Sequence, residues 1–332
     1  MHLLDLVFNL EHLNEIDVSF PQSLTVNKKL EYLQKASWMN KLESLGCALL
    51  ECPDTAFSTL ELGSFSQLRT IRIEGSVPSL LCLFRAMSSP LVSVNITTDI
   101  GDNWLGFRQC LHFLAVNSGK DVTTFTLRRP GRGPAPFIPS FSNIYPPLLN
   151  MHSIRSVEIN MPFSIIDDDI TQLTKAWANL RSIRVRQPLV NPSARPGFGA
   201  YVGLVEHCPS LHTIMIDAYW DGSPPSQKHP FSNTNVTFFR TNQIIITNDD
   251  ADHLQKIAEF VYRLFPNARL WNDNVNGDDR WRAVSMAVEG IRGGSGPQTG
   301  NLPSQNLPMV KCHSDPLLGD PLGALTLDKT PI

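Results

Sequence analysis

The sequence predicts an α/β fold in which short parallel strands alternate with helices, arranged as a solenoid of irregular repeats. Three observations predict it. A six-residue pattern of apolar residues recurs along the chain, a hydroxyl residue occupies a fixed place in that pattern, and segments with helical spacing of apolar residues separate the copies. Parallel strands need long crossover connections, which are usually helical, so these features belong together.

The repeated pattern has apolar residues at its first, fourth and sixth positions, and six consecutive copies begin 23 to 32 residues apart. These copies are Leu68/Ile71/Ile73, Leu91/Val94/Ile96, Val122/Phe125/Leu127, Ile154/Val157/Ile159, Leu180/Ile183/Val185 and Leu211/Ile214/Ile216, and an earlier copy is Leu13/Ile16/Val18. Alternation of apolar and polar residues is typical of a strand that buries one face. We therefore predict a sheet with one exposed polar face.

A hydroxyl residue precedes the central apolar residue in each of the six copies. These residues are Thr70, Ser93, Thr124, Ser156, Ser182 and Thr213. Small or β-branched side chains suit the pleated surface of a sheet, so we expect them to form one row across adjacent strands. One strand and one helix per unit of this length is the organisation of leucine-rich repeats, with strands on the concave face and helices on the convex face.

The segments between the strands have the apolar spacing of helices. The predicted helices are 77–87, 103–116, 168–180 and 199–207, and a later one is 251–264. Asp167, Asp168 and Asp169 precede the third helix, where carboxylates favour a helix N-terminus. Two further strands are predicted at 236–239 and 243–247.

The regions outside the regular repeats are predicted to differ in structure. Residues 20–50 form an irregular helical part with an amphipathic helix over 28–50, and Phe57/Leu60/Leu62 indicates one more strand. Residues 128–148 and 186–198, rich in Pro, Gly and Arg, are predicted to be long loops. We assign residues 1–290 to the repeat domain and 291–332 to a disordered tail, because the tail holds 12 Gly and Pro residues and no aromatic residue.

Composition narrows the class of protein. The formal charge of −3 gives no strong field toward nucleic acid or an acidic membrane. The sequence contains no run of 18 uncharged apolar residues, which predicts no membrane span, and its opening residues lack the pattern of a secretory signal. Six cysteines without a Cys-x-x-Cys pair do not indicate a disulfide framework. We expect a cytoplasmic or nuclear protein.

The repeat boundaries resemble those of the irregular leucine-rich-repeat regions of fungal F-box-type proteins, especially the large basidiomycete families. The residues that carry the resemblance are Asn179–Val185, Cys208–Ile214 and Ala258–Leu264 running into Phe265–Leu270. The resemblance covers residues 5–272 and implies the target-recognition part of a ubiquitin-ligase substrate receptor. The chain has no recognisable F-box, so it implies binding to the ligase adaptor only if an F-box is supplied elsewhere.

Motifs of enzymes and cofactor sites are weak in this sequence, and we predict no catalytic residue, cofactor or metal. Gly197, Gly199 and Gly203 imitate a dinucleotide loop but follow a proline-rich stretch, which favours a loop entering a helix. Residues 272–277 imitate half of a calcium loop, yet Ala283 stands where the bidentate Glu belongs. Asp167–Asp169 favours a helix start over a divalent-ion site. The competing class is a hydrolase-like enzyme on a conventional α/β fold, which a deep pocket with converging titratable groups would favour.

The polar positions of the predicted strands form the candidate binding surface for a protein target on the concave face. The candidate residues are Arg72, Glu74, Arg128, Glu158, Arg184, Arg186 and Asp217, with Trp220 as an aromatic anchor. Acidic and basic residues share the same columns, whereas nucleic-acid binding needs a dominant positive stripe. The sequence therefore favours a protein partner over nucleic acid.

Overall fold

Short strands of the described residues form a ten-stranded parallel sheet in which nearly all strands follow one another in chain order. The computed structural model describes residues 3–10, 12–21, 23–49, 65–130, 139–187, 191, 194–222, 224–225, 232–241, 244–248, 250–272 and 279–294. The strands are β1 (Glu15–Val18), β2 (Ser44–Leu49), β3 (Thr70–Gly75), β4 (Ser93–Thr97), β5 (Thr124–Arg128), β6 (Ser156–Asn160), β7 (Ser182–Arg186), β8 (Thr213–Ile216), β9 (Ala218–Trp220), β10 (Phe238–Thr241), β11 (Ile244–Ile246) and β12 (Arg269–Asn272). The main sheet has the order β1-β2-β3-β4-β5-β6-β7-β8-β10-β12, and β9 and β11 form a separate parallel pair.

Helices connect most of these strands. They are α1 (Leu3–Val7), α2 (Val26–Ser37), α3 (Val77–Ala86), α4 (Trp104–Ser118), α5 (Asp167–Ala176), α6 (Phe198–His207), α7 (Ala251–Leu264) and α8 (Asp279–Arg292), and short 3₁₀ turns occur at Phe141–Asn143 and Pro146–Asn150. The helices predicted between repeats are present within one to four residues of their expected ends. The predicted parallel α/β organisation is thus confirmed in the part of the chain that the structure describes.

The hydroxyl residues expected to form a row lie side by side across the sheet. Ser93 is in register with Thr124, Thr124 with Ser156, and Ser156 with Ser182. The row continues to Thr70 on one side and to Thr213 on the other, and Ser44 of β2 extends it by one strand. This prediction is confirmed, and the common register means that every later position of the repeat also forms a row.

One face of the sheet is apolar and belongs to the hydrophobic core. Ile71, Val94, Phe125 and Val157 are at most 1% exposed and lie in one cluster with helical residues such as Leu111. The helices also pack in consecutive pairs, α3 with α4, α5 with α6 and α7 with α8. Burying alternate residues of each strand against the helices leaves the intervening polar residues on the opposite face.

Polar side chains fix where the helices begin. The Ser76 hydroxyl accepts a hydrogen bond from the amide of Ser79 at the start of α3. The Asn103 side chain accepts one from the amide of Gly106 at 3.2 Å at the start of α4. Such caps satisfy amide groups that have no partner inside a helix.

The aspartates in the first turn of α5 mark a helix start, as predicted, and one of them also reaches the next repeat. The Asp169 carboxylate accepts a hydrogen bond from the Ile166 amide at 3.0 Å. The Asp167 carboxylate accepts from the amides of Gly197 and Gly199 at the N-terminus of α6, at 2.5 and 3.0 Å. A side chain at the start of one helix therefore caps the next.

The helix predicted over residues 28–50 is wrong in its second half. Helix α2 ends at Ser37, and residues 44–49 form β2 between β1 and β3. Leu42, Leu45 and Cys47 have the apolar spacing of the repeat and are all buried. The strand is stabilised by hydrogen bonds to β1 and β3 on both sides and by burial of these three residues. This stabilisation outweighs the helical preference that the spacing of the leucines indicates.

The C-terminal part contains a helix that sequence reasoning missed. Helix α8 buries Trp281, Val284 and Val288, which lie three and four residues apart on one face. Its last turn is tied down by the Arg292 guanidinium, which donates to the carbonyls of Pro266 and Ala268.

Several predicted features fall outside the described residues. These are the strand Phe57/Leu60/Leu62, residues 131–138 of the first long loop, residues 188–190 and 192–193 of the second, the calcium-loop mimic from residue 273, and the tail from residue 295. The assignments of the repeat domain to residues 1–290 and of the tail to 291–332 remain predictions.

Candidate partner-binding surface

The candidate surface is the side of the main sheet that faces away from the apolar core, which we call the polar face. It consists of three rows of side chains set by the strand register. The first row runs through Glu15, Ser44, Thr70, Ser93, Thr124, Ser156, Ser182, Thr213, Phe238 and Arg269. The middle row runs through Asp17, Gly46, Arg72, Asn95, Thr126, Glu158, Arg184, Met215, Arg240 and Trp271. The third row runs through Ala48, Glu74, Thr97, Arg128, Asn160 and Arg186.

Three predicted site residues, Arg128, Glu158 and Arg184, form one ion-pair network. Glu158 accepts two hydrogen bonds from Arg128, Nε to Oε1 at 3.1 Å and Nη2 to Oε2 at 3.2 Å. Arg184, directly beside Glu158 in the middle row, donates from Nη1 to Oε2 at 3.3 Å. The Glu158 side chain is 17% exposed and those of Arg128 and Arg184 are 44% and 27% exposed. One carboxylate thus holds two guanidiniums at the surface and leaves the group with a net positive charge.

Arg72 pairs with an acidic residue two strands away. Its Nη1 lies 3.2 Å from Oδ2 of Asp17, and both side chains are more than half exposed. Gly46 stands between them in the middle row, and a Cβ at that position would lie 2.5 Å from Oδ1 of Asp17. The absence of a side chain on Gly46 is therefore what lets the pair form across an intervening strand. An exposed pair of this kind contributes at most about 1 kcal/mol.

Arg186 lies half-buried at the end of β7. Its Nη2 approaches Sδ of Met215 at 3.7 Å. Burial lowers the pKa of the Arg186 guanidinium, and the positive charges of Arg184 and Arg240 act in the same direction, against Glu158 and Asp217. The group remains a cation.

Glu74 occupies the third row between Ala48 and Thr97 and is half-buried. Six of the eight predicted site residues, Arg72, Glu74, Arg128, Glu158, Arg184 and Arg186, therefore have positions on the polar face.

Asp217 and Trp220 do not lie on this surface, and their prediction as contact residues is wrong. Asp217 is 4% exposed, and its Oδ2 accepts a hydrogen bond from the Gln187 amide at 3.0 Å, just beyond β7. Trp220 is fully buried between Phe198, at a ring distance of 5.0 Å, and Trp281, at 5.8 Å. The amide of Asp217 still donates to the Val185 carbonyl of β7, but its carboxylate is buried against Gln187, and Ala218–Trp220 form β9 outside the main sheet.

Two residues of the polar face, Arg240 and Trp271, were missed from the sequence. Arg240 follows Met215 in the middle row and Trp271 follows Arg240, with 48% of Trp271 exposed. The apolar repeat pattern is present at both strands but incomplete. Val236 and Phe239 match the first and fourth positions of the repeat while Thr241 fills the sixth, and β12 ends in Asn272 instead of an apolar residue. Trp271 takes the role of an exposed aromatic residue that Trp220 cannot have.

The described residues do not bring together the metal ligands, the reactive thiol or the phosphate-binding loop for which the sequence motifs were considered. No three or more His, Cys, Asp and Glu side chains among them come close enough to hold a metal ion. Burial raises the pKa values of the Cys110 and Cys208 thiols to about 12, which opposes nucleophilic thiolate formation. The amides of Gly197 and Gly199 donate to Asp167, which occupies the helix N-terminus that a phosphate would need.

Two surface grooves of the described residues lie away from the polar face. One groove of about 430 Å³ runs between α4 and the second 3₁₀ turn, lined by residues that include Leu105, Arg108, His112 and Pro146. Another, of about 460 Å³, is bordered by Phe8, Lys35, Trp38 and other residues near the N-terminal end. None of the helices that the structure describes has the length and apolar character required to cross a membrane.

Comparison with known proteins gives a distant structural likeness only. No protein-family model matches the sequence, and no curated protein matches it. Among solved structures, the chain is similar to one in the crystal structure of the yeast Rad7 and Elc1 complex, with 14% identity, coverage of 83% of this chain and 75% of that chain, and a TM-score of 0.42. We therefore infer function from the geometry of the polar face.

Proposed function

We propose that this chain is a leucine-rich-repeat protein whose polar face binds another protein. The observation that carries the proposal is the common register of the strands. It stacks the hydroxyl, charged and amide side chains of eight successive strands, from β1 to β8, into rows on the face opposite the apolar core. Repeat proteins use extended surfaces of this kind for binding, since each repeat adds a few contacts. In the proposed solenoid the polar face is concave and the helices are convex.

The composition of the polar face suits a protein ligand. Fixed charges such as the network around Glu158 give specificity, because a partner must match their positions and signs. Trp271, at the far end of the middle row, is an exposed aromatic residue. Tryptophan is common among the few interface residues that contribute most of the binding energy. A single protein partner would bury about 800 Å² on each side in a standard interface.

The resemblance to fungal F-box-type repeat proteins extends the proposal. In that view the chain is the target-recognition part of a ubiquitin-ligase substrate receptor in the cytoplasm or nucleus. Adaptor binding would require an F-box outside the residues that resemble the repeats. We propose no enzymatic activity for the chain.

The test is capture of a partner by the tagged protein, followed by loss of that partner from a variant of the polar face. We expect Arg184→Glu combined with Arg186→Glu to release it. The matched control is Arg108→Glu combined with Lys120→Glu, which reverses two exposed cations on α4 and the turn that follows it. Loss from the first variant only, with both variants folded by circular dichroism, supports the proposal. Equal retention by both variants would contradict it.

A further inference from the structure

The charges of the polar face are separated into two halves, although the whole chain is nearly neutral. On β1 to β4 the charged residues of the three rows are Glu15, Asp17, Arg72 and Glu74, with a net charge of −2. On β5 to β12 they are Arg128, Glu158, Arg184, Arg186, Arg240 and Arg269, with a net charge of +4. Including the buried carboxylate of Asp217 leaves the second half strongly positive.

The positive charges of the second half are close enough to reinforce one another. The charges of Arg184 and Arg240 both lower the pKa of Arg186, so the three guanidiniums share one electrostatic neighbourhood. Glu158 compensates Arg128 and Arg184 together with a single carboxylate. An anionic ligand placed here would be attracted by several cations at once. Because Arg186 is half-buried, water and salt screen its attraction less.

We propose that the second half of the polar face, β5 to β12, binds an acidic segment of the partner protein. This inference rests on the proposed protein-binding function and adds the chemistry of the ligand. Charge complementarity identifies the occupant, since the second half keeps three excess positive charges when Asp217 is counted, and these call for a run of Asp or Glu. The five strand spacings from β5 to β12 cover about 24 Å, which an extended segment of about seven or eight residues would span.

Trp271 indicates a second feature of that segment. It continues the middle row just beyond Arg240, at the edge strand of the sheet, and nearly half of its surface is exposed. An apolar or aromatic residue at one end of the acidic run would pack against its indole ring. A nucleic acid is less favoured as the occupant, because Glu15, Asp17 and Glu74 would repel a backbone that continued over the first half of the face.

The direct experiment measures binding of fluorescent peptides to the full chain. The probes are an eight-residue Glu-rich peptide ending in Leu-Phe, the same peptide with Lys in place of Glu, and a single-stranded RNA of similar length. We expect the acidic peptide to bind and the basic one not to bind. Its affinity should fall at least tenfold between about 0.1 M and 1 M salt, as the screening length falls from about 10 Å to 3 Å.

Matched variants place the site on the correct half of the face. Arg184→Gln combined with Arg240→Gln should weaken the acidic peptide at least fivefold. Arg72→Gln removes a cation four strands from Arg184, about 19 Å away, and should change the affinity less than twofold. Glu158→Gln removes the compensating carboxylate and should strengthen binding. The Glu158 variant keeps the test decisive if the double variant folds poorly.

Each other outcome contradicts the inference in a distinguishable way. The inference is overturned if the acidic peptide binds no better than the basic peptide at concentrations up to about 1 mM, which would already be a weak association. It is also overturned if the Arg72 variant and the Arg184/Arg240 variant change the affinity equally. Tighter binding of the RNA would assign the face to nucleic acid, and a salt-sensitive dimer lost in the Arg184/Arg240 variant would assign it to a second copy of this chain. If a captured partner depends on the polar face but is insensitive to salt and to the Arg184/Arg240 variant, the inference fails and the proposed function stands.

Discussion

Asp167 couples two consecutive repeats, and its removal gives a stability change that the structure allows to be estimated. Its carboxylate accepts hydrogen bonds from the amides of Gly197 and Gly199 at 2.5 and 3.0 Å. A hydrogen bond to a charged group contributes about 1.5–3 kcal/mol, and loss of a helix cap costs about 0.5–2 kcal/mol. Because Asp167 is half-buried, water replaces part of the loss. We therefore expect Asp167→Ala to lower the free energy of unfolding by about 2–3 kcal/mol.

Asp168 is the matched control, since it is the next residue of the same helix start but is exposed. Both aspartates interact with the N-terminus of α5, an effect of about 0.3–1 kcal/mol, so the difference between the two Ala variants isolates the contact with α6. With an unfolding entropy of about 600 cal/mol/K for a unit of about 290 residues, Asp167→Ala should lower Tm by about 3–5 °C.

Gly199 tests the same contact from the other helix. A Cβ at Gly199 would lie 2.6 Å from Oδ2 of Asp167, so Gly199→Ala should destabilise the wild-type protein. In the Asp167→Ala background that oxygen is gone, leaving Cβ of residue 167 at 3.3 Å as the nearest contact. Gly199→Ala should then cost less than it does in the wild-type protein, because the two closest atoms are gone and Ala is the better helix former.

The assay is urea unfolding of the four proteins of this cycle and of Asp168→Ala, followed by far-ultraviolet circular dichroism. The loss of stability caused by Gly199→Ala should be smaller in the Asp167→Ala background than in the wild-type protein. Equal losses for Asp167→Ala and Asp168→Ala, or a Gly199→Ala effect of the same sign and size in both backgrounds, would refute the reasoning. Because repeat arrays can unfold in parts, coincident transitions by fluorescence are required before free energies are compared.

Two further predictions concern buried residues. Trp281→Ala should destabilise the protein by about 3–5 kcal/mol, because it leaves a cavity where α8 meets the aromatic core. Arg282 is the exposed next residue of α8, so the control Arg282→Ala should change the urea midpoint little. Burial raises the pKa values of the Cys110 and Cys208 thiols to about 12, so both should react with iodoacetamide at pH 8 only as fast as the protein unfolds. The less buried Cys82 should react earlier. Peptide mass spectrometry that finds Cys110 or Cys208 alkylated ahead of Cys82 in the native protein would contradict this prediction.

The sheet and its register could be predicted because a regular repeat records spatial neighbours in the sequence. Ser93, Thr124 and Ser156 are about 30 residues apart, yet their common place in the pattern put them in one row. Burial of the next residue in each strand enforces that register, since a shift by one would expose Val94, Phe125 and Val157.

The failures occurred where the repeat pattern was incomplete or competed with another pattern. Residues 42–47 fit a helix and a strand equally in their apolar spacing, and only the presence of β1 and β3 on both sides decides for the strand. At the other end, Thr241 and Asn272 replace apolar residues of the pattern. The strand predicted at 236–239 was therefore not assigned to the repeat and β12 was not predicted, so Arg240 and Trp271 were missed. Asp217 follows the pattern and its amide still bonds to β7, but its carboxylate is buried by the hydrogen bond to the Gln187 amide, which the pattern does not reveal.

The candidate surface depends on register in a second way, because register decides which charges become neighbours. Asp17 and Arg72 are 55 residues apart and meet over Gly46, whereas Arg128 and Arg184 meet at the single carboxylate of Glu158. The same arginine and glutamate residues, taken from the sequence alone, form a mixed list in which no sign prevails. Placed in rows, they separate into a negative and a positive half, and a ligand experiences the local halves because screening limits its range to about 10 Å. The net charge of −3 therefore says little about the partner, and the order of the strands says much more.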